Sequence, residues 1–155
     1  MPTPDFILEL REQIGHAPLW LPGVTAVVVD GPRVLLVRRS DNGEWAPVTG
    51  IVDPEEEPAR AAVREVLEET CVVAEADRLA RTGVSPLRAH ANGDLAAYLD
   101  LTFRCTYVGG EARVGDDESL EVGWFETDAL PELRDEHRAR IEAALEDRLD
   151  AQFVR

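Results

Sequence analysis

The chain has 155 residues, 45% apolar and 30% charged, an ordinary globular balance for one domain that excludes a disordered or fibrous repeat architecture. Its formal net charge of −15 argues against a broad surface for the phosphate backbone of DNA or RNA, so no nucleic-acid polymer is expected as a partner. All 16 basic residues are Arg, the better bidentate phosphate ligand, which leaves room for a small anionic substrate if local Arg and a metal offset the field of the whole protein.

Cys71 and Cys105 stand apart, without C-x-x-C spacing, and read as buried thiols in a reducing compartment. No apolar run approaches the ~18 residues of a membrane span, and Met1 to Glu9 lacks the basic-then-apolar layout of a signal peptide. The expectation is a cytoplasmic protein with no membrane partner, folded as one domain over residues 1–155, with residues 1–22 as an N-terminal helix and connector.

After the Pro2 and Pro4 breakers, Phe6, Leu8, Leu10 and Ile14 among Asp, Glu and Arg wind as a short amphipathic helix. Pro18 to Gly23 reads as an extended connector that packs Trp20 against the body. Val24 to Val29 is a strand, Asp30-Gly31 a hairpin signal and Arg33 to Val37 the returning strand, and this pair is expected at the centre of the sheet. Arg38 and Arg39 end it beside the polar loop Ser40 to Glu44. Two readings stand for each: a phosphate contact, or a solubilising strand end.

From Gly50 to Val72 a loop leads into an acidic helix. Pro58 suits a first helical turn, and Ala59 to Glu69 has no Gly or Pro to break it, so the helix is predicted over Pro58 to Thr70. At 100° per residue Ala59, Val63, Val66, Leu67 and Thr70 share a side expected to be buried, while Glu65, Glu68 and Glu69 share the other. Alone, such a triplet is either a solvated face or a set of hard oxygen ligands converging on a divalent cation. The whole stretch decides between them. Gly50, Glu56, Arg64, Glu65, Val66, Glu68, Glu69 and Val72 fall in the register Gly-x5-Glu-x7-Arg-Glu-aliphatic-x-Glu-Glu-x-Gly-aliphatic, which resembles the Nudix box of the Nudix hydrolases. Cys71 replaces the second Gly, and Trp45-Ala-Pro-Val-Thr-Gly50 stands where the family usually has Trp-x-x-Pro-Gly-Gly.

Beyond the helix, Val72 to Ala74 is extended and Thr82 to Leu87 is a strand candidate interrupted by Pro86. The loop Arg88 to Gly93 holds His90 and Asn92 without the partners of a zinc site. Leu95 to Tyr107 alternates cleanly, with the odd positions from Leu95 to Cys105 expected toward the core. Its even face, carrying Tyr98 and Asp100, is either a pocket wall for a base or sugar or a solvated outer face. Gly109-Gly110 is a turn, Trp124 and Phe125 close the last strand, and Asp128 to Pro131 is expected to start a terminal helix with Leu133, His137, Ile141, Ala144, Leu145 and Leu149 on one stripe. His137 reads as a packed helix residue.

The resemblance implies an α/β fold, the Nudix α/β/α sandwich with a mixed sheet, and Mg²⁺- or Mn²⁺-dependent hydrolysis of a nucleoside diphosphate linked to another group. It implies Glu65, Glu68 and Glu69 as metal ligands together with the Gly50 carbonyl, and an ion pair between Glu56 and Arg64 that fixes the loop onto the helix. Glu118, in the acidic run Asp116-Asp117-Glu118, lies where many family members bring a carboxylate to the metals, here from a loop expected to be mobile and to close over substrate. The general base is open among Glu68, Glu69 and Glu118. Arg38, Arg39, Tyr98 and Asp100 are the substrate-binding candidates. A nucleotide-binding module without hydrolysis is the rival reading, and a homodimer is an open possibility for the assembly.

Overall fold

The computed structural model describes residues 3–155. Its elements are α1 (Asp5–Ile14), β1 (Leu19–Asp30), β2 (Arg33–Arg39), β3 (Trp45–Ala46), β4 (Val48–Ile51), α2 (Pro58–Thr70), β5 (Val73–Val84), β6 (Arg88–Ala89), β7 (Leu95–Gly109), β8 (Ser119–Glu126) and α3 (Asp135–Leu145). The strands form one eight-stranded mixed sheet ordered β3-β2-β1-β7-β5, with β4 also on β1, β6 on β7 and β8 on β2. β1 and β7 run parallel from Leu19 opposite Ala96 to Val29 opposite Thr106, and the other pairings are antiparallel.

The apolar runs of β1 and β2 follow from burial on both faces. Val24, Ala26, Val28, Leu35 and Val37 turn to α2, where they meet Ala61, Ala62 and Val66. Val27, Val29, Val34 and Leu36 turn the other way, to Leu133, Ile141 and Ala144 around α3. Each of these side chains is worth about 1.5–3 kcal/mol when fully buried. This is the expected α/β/α sandwich, with the β1/β2 pair at its centre. No helix among the described residues is long and apolar enough to cross a membrane.

The partners of β1 position the site. Near the hairpin it pairs with β2 only at Val29–Val34 and Asp30–Arg33, whereas farther back Gly23 to Ala26 pair with Ile51 to Val48 of β4. β2 leaves β1 to pair with β8. The sheet therefore splits, with the Arg39 end of β2 on one side of the gap and β4 on the other.

Several expectations change. α1 forms, but Ile7 is its buried residue, while Leu8, Leu10 and Ile14 are exposed. Residues 19–22 belong to β1 rather than to a connector, and Trp20 is 60% exposed because parallel pairing with β7 turns it outward. β5 runs unbroken to Val84, where only Val72 to Ala74 and Thr82 to Leu87 were expected. In β7 the odd face packs at Leu101, Phe103, Cys105 and Tyr107, but Leu99 is exposed, and Asp100 and Thr102 on the even face are buried beneath α3. Alternation misleads there because both faces are covered.

α3 begins at Asp135 rather than at Asp128 to Pro131. Residues 131–134 stay extended and drive Leu133 inward, and Asp135 with Glu136 then supplies a first turn that suits the helix dipole. It ends at Leu145. Arg78 Nη2 donates to the carbonyls of Ala143, Ala144 and Glu146 at 3.1, 3.3 and 2.6 Å, so the chain leaves the helix and Leu149 is solvent-exposed.

Candidate active site

Helix α2 has the predicted bounds, with Pro58 in its first turn. It ends where Cys71 takes a left-handed backbone, φ 59°, and donates its N–H to the Leu67 carbonyl at 3.0 Å. The position expected to carry Gly thus keeps the conformation that Gly favours, at the cost of a crowded Cβ. The carbonyls orphaned at this end are met by the loop before β8: Arg113 N–H donates to Thr70 O at 3.0 Å and Gly115 N–H to Glu69 O at 2.9 Å. A Cβ on Gly115 would collide with the Glu68 carbonyl, so a small residue is needed for this approach. The acidic loop, expected to close over substrate, is here hydrogen-bonded to the end of the helix. Its far end is tied as well, since Ser40 N–H donates to Glu118 O at 2.8 Å.

The carboxylates do not sit on a wet face. α2 lies with Ala61, Ala62, Glu65, Val66 and Glu69 inward, and Leu67, expected in the core, is 51% exposed. Glu65 and Glu69 retain only 1% and 4% of their exposure. Glu65 presses on Gly50 so closely that any Cβ there would strike its carboxyl, which explains the Gly. Arg64 fans out beside it: Nε and Nη2 donate to the two oxygens of Glu56 at 2.7 and 2.8 Å, and Nη1 to Glu65 Oε1 at 2.9 Å and Glu68 Oε2 at 3.3 Å. Nη2 also reaches the Ile51 carbonyl at 3.3 Å, and Glu56 accepts the Asp53 N–H at 3.1 Å. The expected Glu56–Arg64 pair is thus the staple that joins β4, the loop and the helix.

Burial pushes the Glu65 carboxyl up to about 7, with the Arg64 charge opposing and Glu68 and Glu118 adding. Glu69 is pushed up to about 8, by burial first and then by Glu118, Glu65 and Asp116, with Arg39 opposing. In contrast, the hydrogen bond from Arg64 holds Glu56 below its ordinary range. A divalent cation would reverse the cost of charging Glu65 and Glu69.

Around this edge opens a cleft of about 880 Å³, lined by Gly50, Glu65 and Glu118 among others. Of the substrate candidates, Arg39, Tyr98 and Asp100 line it, and Arg38 does not. Arg38 is engaged outside, donating to Glu121 at 2.7 Å and to the Gly43 carbonyl at 3.0 Å. Arg39 donates to Asp41 and, at 3.1 Å, to Thr49 Oγ1, so the residue that replaces a family Gly gives Arg39 a partner. Asp100 accepts from Thr25 at 2.6 Å and Thr102 at 2.7 Å and faces Arg140 Nε at 3.3 Å, a full set of partners for a buried anchor. Glu68 stands at the Arg64 edge.

The opposite end of the cleft was not foreseen. Arg88, Arg134, Glu136, His137 and Arg140 converge there from β6 and the α3 region. Arg88 Nη2 donates to both carboxylate oxygens of Glu136, at 2.8 and 2.9 Å. His137 is packed, as expected, and burial drives it down to about 3, with Arg140, Arg39, Arg134 and Arg88 adding. Helical spacing alone gave these residues no signal beyond a packed stripe.

Among the described residues, no three His, Cys, Asp or Glu side chains are gathered tightly enough to cage an ion unaided. The donors at the acidic end are carboxylates and a backbone carbonyl, hard oxygen groups that fit a divalent cation. Mg²⁺ commonly takes one or two carboxylates, keeps several waters and completes its shell with substrate phosphate.

A split mixed sheet between helical layers, with the buried Glu65 and with Arg39 lining one cleft, is the arrangement to set beside known proteins. Residues 19–146 match the NUDIX domain family, and the chain belongs to the Nudix hydrolases. A MutT-like protein of Streptomyces ambofaciens is 39% identical over 117 residues, covering 74% of this chain and 70% of the relative. An ADP-ribose pyrophosphatase of Methanocaldococcus jannaschii is 32% identical over 124 residues, covering 75% and 70%. The crystal structure of a UDP-X diphosphatase superposes with a TM-score of 0.66 at 22% identity, covering 90% of this chain and 68% of the other, and shares the fold.

Proposed function

We propose that the chain hydrolyses the pyrophosphate of a nucleoside diphosphate linked to a sugar, with Mg²⁺ or Mn²⁺ held by Glu65, Glu69 and the Gly50 carbonyl and with Glu68 at the edge of the cluster. The carrying observation is that Glu65, buried and pushed upward, lines a cleft together with Arg39, with the equally buried Glu69 one helical turn behind it. That combination suits a group of high negative charge delivered together with a cation. The cleft volume of about 880 Å³ lies in the range of small-molecule sites and has room for both halves of such a substrate. The ADP-ribose pyrophosphatase relative supports the nucleotide-sugar class.

When bound, the cation offsets the charge of the pyrophosphate and activates water. Arg39 positions the phosphate. On this reading Glu118, which lines the cleft, takes the proton as water oxygen bonds to one phosphorus. The anhydride P–O bond then breaks and two phosphomonoesters leave. Arg64 and Glu56 hold Glu65 and Glu68 in place without touching substrate. The same reading takes residues 1–155 as one catalytic domain working in the cytoplasm, on a small nucleotide rather than a nucleic-acid polymer.

A panel of ADP-ribose, UDP-glucose, a dinucleoside polyphosphate and nucleoside triphosphates, assayed with Mg²⁺ and with Mn²⁺, tests this. Preferential cleavage of the sugar-linked diphosphates is expected. Exclusive use of triphosphates would overturn the substrate class.

A further inference from the structure

We infer that helix α1, which precedes the family match at residues 19–146, is a substrate-selecting wall that holds Tyr98 as the platform on which the nucleotide's base stacks. This rests on the proposed nucleotide substrate and assigns one end of the cleft to one part of it.

Three observations carry it. First, α1 reaches the cleft: Pro4, Ile7 and Arg11 line it together with Tyr98. Second, α1 is fixed there at several points. Arg11 Nη2 donates to the Leu95 carbonyl at 2.9 Å, Nη1 donates to Gly15 O at 3.0 Å and Ala17 O at 2.5 Å, and Nε faces Asp94 at 3.4 Å. His16 joins the same Asp94 at 2.8 Å. The helix is thus clipped to the turn that leads into β7. Third, the surface it completes is apolar and aromatic: Ile7 is 4% exposed and belongs to a cluster with Leu21 and Ala96, against which Ile51 and the Tyr98 ring pack. The Tyr98 hydroxyl lies 3.3 Å from His90 Nε2, which holds the ring at its tip, and the Tyr98 backbone N–H donates to Ser85 Oγ at 2.9 Å, which fixes the strand beneath it.

The chemistry of this end selects the base over the sugar. Pro4, Ile7, Leu21 and Ala96 are apolar, and the polar groups lining this stretch, Arg11, Asn92 and Asp94, are already paired with one another, so entering hydroxyls would lose water with few partners to replace it. A planar base loses little on entering and gains a stacking face. Ile7 and Arg11 are positioning residues that act through Tyr98.

Calorimetric binding of adenosine 5′-monophosphate and of ribose 5-phosphate to the full chain tests this without requiring turnover. Wild type is expected to prefer the nucleotide by about 10-fold or more, the size of one stacked base. Ile7→Ala and Tyr98→Ala should erase most of that preference and leave ribose 5-phosphate binding unchanged, whereas Tyr98→Phe should keep it. No preference in wild type, an intact preference in Ile7→Ala, or equal weakening of both ligands would overturn the inference. A base preference in a chain that cleaves no anhydride would instead sink the hydrolase reading and leave this one standing.

Discussion

The two ends of the cleft are built in opposite ways. Apart from Glu118, the acidic end comes from one contiguous stretch, Gly50 to Glu69, in which a bidentate Glu56–Arg64 pair closes the loop on its own helix. The far end is assembled from α1, β6, β7 and the α3 region, whose residues Arg11 and Arg140 are joined only through the folded sheet. The first kind of site is fixed by local spacing and, on the proposed function, sets the chemistry. The second depends on long-range packing and, on the same proposal, sets what the chemistry is applied to. Variants at the acidic end should therefore abolish turnover, and variants at the far end should change substrate preference.

The largest effect expected is from Glu69→Gln, which should lower kcat by at least about 10²-fold, the scale of losing a principal electrostatic group. Folding should survive, since the amide matches the carboxyl in size. Single-turnover rates at saturating Mg²⁺, with circular dichroism as the folding control, check it. Glu118→Gln should likewise reduce kcat more than affinity, with Asp117→Asn nearly silent; equal small effects would remove Glu118 from the mechanism.

Next is the staple. Arg64→Ala leaves Glu56 and the buried Glu65 without their guanidinium, and urea unfolding should show a loss of about 2 kcal/mol. A change under about 0.5 kcal/mol would mean the pair is an ornament of a loop already fixed.

Stability should also depend on pH with a defined sign. Glu65 and Glu69 are raised to about 7 and about 8, so between their ordinary value of 4.5 and those values the folded chain holds protons that the unfolded chain releases. Their contribution is present at low pH and is lost as pH rises through 7 to 8. His137, lowered to about 3 from 6.5, works oppositely, costing stability only as pH falls below 6.5. The window from about pH 6.5 to pH 8.5 therefore isolates the glutamates. Thermal melts without divalent cation should fall across it, and Mg²⁺ should stabilise most at the upper end. A rising or flat profile would contradict the burial argument.

The smallest effect is at Cys71. Replacing it by Gly relieves the left-handed backbone and should raise stability by up to about 1 kcal/mol with activity retained. Loss of activity with an intact fold would implicate the thiol.

The limits of α2 and the hairpin at Asp30-Gly31 were legible because each rests on residues close in sequence, and the Glu56–Arg64 pair because the resemblance to the Nudix box implied it. The inward face of α2 was not. A helical wheel places Leu67 inside, but the helix lies over the split between β1 and β2 and turns Glu65 and Glu69 to it instead. β5 was legible only at its ends, because Glu75 to Arg81 is rich in charge. It is an edge strand whose pairing with β7 shifts register at three places, which lets polar side chains leave the ladder plane. Nothing in the spacing of α3 pointed to a cleft, since a packed stripe and a pocket wall have the same period.

The most direct test of the central claim is product analysis of ADP-ribose hydrolysis by wild type and Glu69→Gln, with Mg²⁺ and after chelation. Buried carboxylates that hold a cation predict equimolar AMP and ribose 5-phosphate from wild type with Mg²⁺, and neither product from chelated wild type or from the variant. Turnover that persists undiminished in the chelated enzyme or in Glu69→Gln would contradict it.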